Sequence, residues 1–99
     1  MSMNIPIELK TGFFQLEQGI IKFDNHAKQI QIELVDQRAA IIIEFSSIHR
    51  VIYNPYSKHE LEIQTTIDNY IGYLKKESVQ RGVIDFLKIE FADKFKEIN

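Results

Sequence analysis

Gln29-Ile30-Gln31-Ile32-Glu33-Leu34-Val35 is the stretch that decides the architecture of this chain. Ile30, Ile32 and Leu34 occupy alternate positions, with Gln29, Gln31 and Glu33 between them. This is the period of a strand with one face buried and the other wet. On its C-terminal side Asp36-Gln37-Arg38 forms a turn, and Ala40 to Phe45 follows as an almost continuous apolar run. Such a run predicts a central strand covered on both faces. Ser46-Ser47 interrupts it, and Ile48 to Tyr53 forms a further strand that ends at Asn54-Pro55, since proline cannot donate to a ladder. Glu60 to Ile67 alternates again, with Leu61, Ile63 and Ile67 expected on one face. Asp68-Asn69 then turns the chain into Tyr70 to Lys75. On the N-terminal side Asn25-His26-Ala27 is a turn that leads back to Ile20 to Asp24. Gln18-Gly19 is read as the preceding turn, and Gly12 to Glu17 as the first strand. The count is seven strands.

From Ser78 the period becomes helical. Ile84, Leu87, Phe91, Phe95 and Ile98 recur three or four residues apart and make one apolar stripe, with Asp85, Lys88, Asp93 and Lys96 elsewhere. Ser78 is the expected N-cap, and Gly82, which costs a helix up to about 1 kcal/mol against alanine, delays its regular part. A helix over 67–74 competes with the last strand, because Ile67, Tyr70, Ile71 and Leu74 fit that spacing too and Thr65 with Asp68 imitates a capping box. The expected arrangement is one α+β domain over the whole chain. Strands fill roughly residues 12–76 and a helix fills roughly 79–97, with no repeat or linker between them.

Ninety-nine residues suffice for one core and not for two. The formal charge of −2 gives no general attraction for nucleic acid or an anionic membrane, and no nucleic-acid partner is expected. Cysteine is absent, which excludes disulfides and thiolate chemistry and fits a cytoplasmic location. Met1 to Leu9 has no basic segment leading into a long apolar run, so no secretory leader is expected. The longest apolar stretch, Ala39 to Ile43, falls far short of the ~20 residues of a membrane span.

No catalytic or metal signature stands out. His26, His49 and His59 lie in separate segments without zinc-site spacing, and no nucleophile elbow, phosphate loop or dinucleotide fingerprint is present. Glu60 and Glu62 share a wet strand face instead of a cleft. No cofactor is expected. Two weaker groups remain. Lys22, His26, Lys28 and Arg38 lie near neighbouring turns and make a candidate basic patch, although Asp24 and Asp36 interleave with them. Tyr53, Tyr56, Tyr70 and Tyr73 are candidate interface residues, since tyrosine is amphipathic. Tyr56 sits in an Asn-Pro-Tyr-Ser loop where burial is least expected. Tyr53, Tyr70 and Tyr73 are read as structural tyrosines with their hydroxyls in water.

Phe45-Ser-Ser-Ile48-His-Arg-Val51, then Leu61-Glu-Ile63-Gln-Thr-Thr, Tyr70-Ile-Gly-Tyr-Leu74 and the closing helix resemble the second half of bacterial pleckstrin-homology (PH)-like and GRAM-type domains. The resemblance implies a seven-stranded antiparallel bent sandwich or partial barrel closed by one C-terminal helix, used to bind proteins or lipids. Phosphoinositide-binding members carry lysines and arginines around the first strand-to-strand loop. Here that turn is read as Glu17-Gln18-Gly19, with Lys22 alone nearby. The tryptophan common in the closing helix is also absent, leaving Phe86, Leu87 and Phe91 to take its packing role. The expected function is a non-catalytic module that binds protein, another chain or its own copy, through a sheet edge or an aromatic patch. A lipid- or anion-binding module is the alternative, and an enzyme with an unread site ranks third.

Overall fold

The computed structural model describes residues 2–99, without the side chain of Ser2. Met1, the first residue of the segment read for a leader, lies outside the described residues. Among the described residues eight strands form one sheet in the order β4-β3-β2-β1-β7-β6-β5-β8. They are β1 (Ser2–Gly12), β2 (Gln15–Asp24), β3 (Gln29–Leu34), β4 (Ile41–Glu44), β5 (Ile48–Asn54), β6 (Glu60–Thr65), β7 (Asn69–Leu74) and β8 (Phe95–Glu97). Two helices, α1 (Lys76–Gln80) and α2 (Val83–Phe91), lie between β7 and β8. All neighbouring pairs are antiparallel except β5 with β8. This is an antiparallel sheet with a C-terminal helix, the fold class read from the sequence, with one strand more than expected.

The alternation in β3 does what its period requires. Ile30, Ile32 and Leu34 are buried, between 0% and 5% exposed. They join Ile21 and Phe23 of β2, Ile5, Ile7 and Leu9 of β1, and Val51, Leu61, Ile63 and Leu74 of the other half in one core. α2 lies over this core and contributes Val83, Ile84, Leu87 and Phe91. Phe91 meets Phe45 with ring centroids 5.0 Å apart, and Phe86 meets Phe23 at 5.7 Å, so phenylalanines supply the aromatic part of the closing helix's packing.

The N-terminal half corrects the expected boundaries. Residues 15–17 of the expected first strand and the segment 20–24 are one strand, β2, while Gly12 ends the strand before it, which begins at Ser2. Gln18-Gly19 is not a turn. Gly19 is buried in mid-strand, opposite Ile7 on one side and Leu34 on the other, where a bare Cα lets β3 approach. The turn lies at 13–14, so phenylalanines and not Glu17 make the first loop.

Further corrections concern the edges and the C-terminus. β4 is an edge strand and not a central one, and Ile42 on it is 49% exposed. Residues 69–74 form a strand and not a helix. Thr65 makes a local turn with Asp68: its hydroxyl accepts from the Ile67 and Asp68 N–H groups and donates to the Asp68 carbonyl. This leaves Ile67, expected inside, 86% exposed. Ser78 lies buried within α1, whose N-cap is Lys75. Gly82, at φ 92°, separates α1 from α2, so the regular helix begins after it, as its low helix propensity suggests. The apolar stripe ends with Phe91, because Ala92 at φ 48° breaks the helix and Phe95 enters β8. A sheet edge left open at β5 would expose unpaired backbone. β8 covers part of it, pairing Phe95 with Val51 and Glu97 with Tyr53, and the Ile98 N–H donates to the Tyr53 carbonyl at 2.8 Å.

Candidate interaction site

A groove of about 900 Å³ opens on the outer face of β1 and β7, within the size range of ligand pockets. It follows from where two strands stop sharing a ladder. β7 pairs with β1 only across Ile7–Leu9, so the hairpin from Lys10 to Leu16 has no β7 neighbour. Glu8 and Lys10 alternate outward from buried Ile7 and Leu9 and line the groove. Phe13 and Phe14, on the turn between β1 and β2, line it as well and are 85% and 92% exposed. Their rings meet edge to face at 4.9 Å, and the Lys10 ammonium lies 5.9 Å from the Phe13 ring centre, within cation–π range.

The opposite wall comes from the loop between β5 and β6. Tyr56 is 77% exposed there, beside Ser57, Lys58 and His59. Asn54 shapes the start of this loop, its side-chain carbonyl accepting from the Tyr56 N–H at 3.0 Å. Lys58 and His59 both adopt left-handed backbone, at φ 54° and 57°, a conformation that costs a non-glycine residue about 1 to 3 kcal/mol. Two contacts hold the pair in place. The Leu74 N–H donates to the His59 carbonyl at 3.0 Å, and Nδ1 of His59 lies 2.7 Å from the Tyr53 hydroxyl. Tyr73 of β7, opposite Glu8 of β1, lines the groove, and Lys75, Lys76 and Glu77 complete it at the head of α1.

The four tyrosines therefore separate. Tyr56 and Tyr73 line the groove. Tyr70 packs against the core. Tyr53 is 3% exposed, and its hydroxyl meets His59 instead of water. Burial is the main cause of the upward shift of its pKa, with the Glu97 charge adding to it.

Of the basic candidates, two are held in ion pairs and Arg38 lies apart from the rest. Lys22 pairs with Glu33 across β2 and β3, and Lys28 pairs with Glu90 of α2 at 3.1 Å. His26 lies on the turn from β2 to β3, where the Asp24 carboxylate accepts from the His26 and Ala27 N–H groups and is held below its ordinary pKa by them. Arg38 lies in the loop from β3 to β4, at the opposite end of β3. The cations that do gather are Lys10, Lys58, Lys75 and Lys76, which sequence spacing could not bring together because they come from three separate segments. Phe13-Phe14 left a readable signal. Two adjacent residues in a strand face opposite sides, so both cannot enter one core.

Among the described residues no group of three or more His, Asp or Glu is placed to hold a metal, and no helix is long and apolar enough to cross a membrane. No protein-family model matches the chain, and no curated protein sequence matches it. Solved structures do. A chain of the Spt16D Pob3N heterodimer superposes with a TM-score of 0.69 at 14% identity, covering 97% of this chain and 53% of that one. This chain thus spans about half the length of that relative. The N-terminal PH domain of human ARAP2 superposes with a TM-score of 0.67 at 17% identity, over 93% of this chain and 84% of that domain. At these identities the likeness is one of fold, and the fold of this chain is that of a PH domain: a mostly antiparallel sheet closed by a C-terminal helix.

Proposed function

We propose that this chain is a non-catalytic, cytoplasmic protein-binding module of the bacterial PH-like or GRAM kind, and that its partner, another protein or a second copy, docks in the aromatic groove. The observation that carries this reading is the exposure of Phe13 and Phe14 on the groove rim. Fully burying such a side chain contributes roughly 1.5 to 3 kcal/mol, and apolar patches rimmed by polar groups mark interaction sites. Sheet-edge docking has less behind it, because the outermost strands of the sheet are β4 and β8, of four and three residues. Such strands offer few backbone groups to a partner strand. The heterodimer among the structural relatives lends weak support to a protein partner.

The test is sedimentation velocity over a range of concentrations together with selection from a random peptide display library. Both are run on the wild type and on the Phe13→Ser, Phe14→Ser double variant, with circular dichroism confirming its fold. Self-association or peptide enrichment by the wild type that the double variant loses is the expected result. A wild type that stays monomeric and enriches nothing, or a double variant that keeps every interaction, refutes the proposal.

A further inference from the structure

Resting on the reading of the groove as a protein site, we infer that its occupant is an acidic, extended peptide segment that carries aromatic or large aliphatic side chains. Four lysines meet there, from β1, from the loop after β5 and from the head of α1, against Glu8 and Glu77. The groove has a formal charge of +2 on a chain whose total is −2. Among the described residues the ion pairs of the protein engage Lys22, Lys28 and Lys88, and none of the four groove lysines takes part. Like charges gathered in excess of their counter-charges repel one another, and a partner that brings carboxylates relieves this repulsion on binding.

The apolar component decides between anionic partners. A phosphate or lipid headgroup satisfies lysines but leaves Phe13, Phe14 and Tyr56 uncovered, and a groove of about 900 Å³ exceeds what one such group fills. A single-stranded nucleic acid stacks on aromatic rings, yet it carries a phosphate at every residue and cannot space its charges away from Glu8 and Glu77, as a peptide of mixed sequence can. A peptide that alternates acidic and apolar residues satisfies both sets at once. Its carboxylates reach the lysine heads, and its side chains of the other parity lie on the rings. The Lys10 ammonium above Phe13 places a cation directly beside the aromatic surface, which is the juxtaposition such an alternation requires.

The probe is a fluorescein-labelled peptide of alternating glutamate and phenylalanine, compared by anisotropy with the same peptide carrying lysine for glutamate. Phosphatidylcholine–phosphatidylserine vesicles and a thymidine oligonucleotide form the other arms. The acidic peptide is expected to bind, with a Kd that rises as salt shortens the Debye length from about 10 Å at 0.1 M to about 3 Å at 1 M. Lys10→Glu with Lys75→Glu should weaken it at least about tenfold, and the lysine peptide should not bind. If both peptides bind equally and Phe13→Ser with Phe14→Ser abolishes both, the inference fails while the groove stands as a protein site. If no peptide binds, or if vesicles or the oligonucleotide bind in a manner that the lysine reversals abolish, the inference and the protein-binding reading fail together.

Discussion

Replacing Gly19 by alanine tests the register of the whole N-terminal half. An ideal Cβ at this position falls 2.5 Å from the Glu33 carbonyl oxygen, 2.9 Å from Leu34 Cδ2 and 3.2 Å from Leu34 Cα. The leucine methyl can rotate away. The carbonyl cannot, because it belongs to the β2–β3 ladder in which Gly19 faces Leu34 and Ile20 faces Glu33. Restoring an ordinary carbon–oxygen contact of about 3.3 Å requires the strands to part by most of an ångström. Overpacking of this kind costs about 1 to 3 kcal/mol, while alanine regains about 0.4 to 1 kcal/mol by restricting the unfolded chain. At the midpoints of these ranges the net expectation is a loss of about 1.3 kcal/mol, or a fall in Tm of roughly 5 to 10 °C for a domain of this size. Urea denaturation followed by circular dichroism measures it as a lower midpoint at unchanged slope. Gly82→Ala is the control: at φ 92° nothing lies within 4 Å of the added Cβ, so any loss there comes from backbone strain alone. A Gly19→Ala protein as stable as the wild type would refute the mid-strand placement and restore Gln18-Gly19 as a turn.

Ile32→Ala should cost about 2 to 4 kcal/mol, the usual price of emptying a packed site, and a urea-measured loss below about 0.5 kcal/mol would place Ile32 outside the core. Tyr53→Phe removes the hydrogen bond to His59 and should cost about 0.5 to 1.5 kcal/mol at neutral pH. The Tyr53 pKa is raised in the folded state, so its contribution is complete below the ordinary value of 10.0 and is lost as pH rises through the higher folded value. Urea midpoints taken up through alkaline pH should therefore converge between wild type and Tyr53→Phe, and a gap that stays constant counts against this linkage. Deleting Val83 to Asn99 removes four core side chains and uncovers the β5 edge, a loss of roughly 1.5 to 3 kcal/mol per side chain against a total margin of about 5 to 15 kcal/mol. The truncated chain should unfold or aggregate, and a soluble product with a cooperative thermal transition would make the helix an appendage.

Alternation made β3 and β6 legible, because each has one buried and one wet face and the period of two records this directly. β1 carries the same signal in Ile5, Ile7 and Leu9, all 2% or 3% exposed. Pro6 masks it, since proline within a run argues against a strand. The structure tolerates Pro6 just outside the segment that β7 pairs from the far side. Gly19 misled for the opposite reason. Glycine signals both turns and close backbone approach, and one sequence does not separate the two. The run at 40–45 suggests a central strand by its apolar composition alone. Its order in the sheet depends on which strands pair across long separations, which composition does not encode.

The candidate site was legible in kind and not in place. Tyr56 and Tyr73 lie in the groove, and what unites them with Phe13, Phe14 and the four lysines is the early end of the β1–β7 ladder at Leu9. The stagger leaves the hairpin from Lys10 to Leu16 beyond β7 and lets the loop after β5, tied to β7 through His59 and Leu74, form the facing wall. No motif describes such a site, because its residues are neighbours only through pairing register. The strained backbone at Lys58 and His59 joins this surface to the core. His59 lines the groove on one side and bonds buried Tyr53 on the other, so the wall that carries Tyr56 is fixed from within the fold. One wall of the groove is thus anchored to the core and the other is a projecting aromatic turn, the arrangement that the proposed peptide site requires of its two sides.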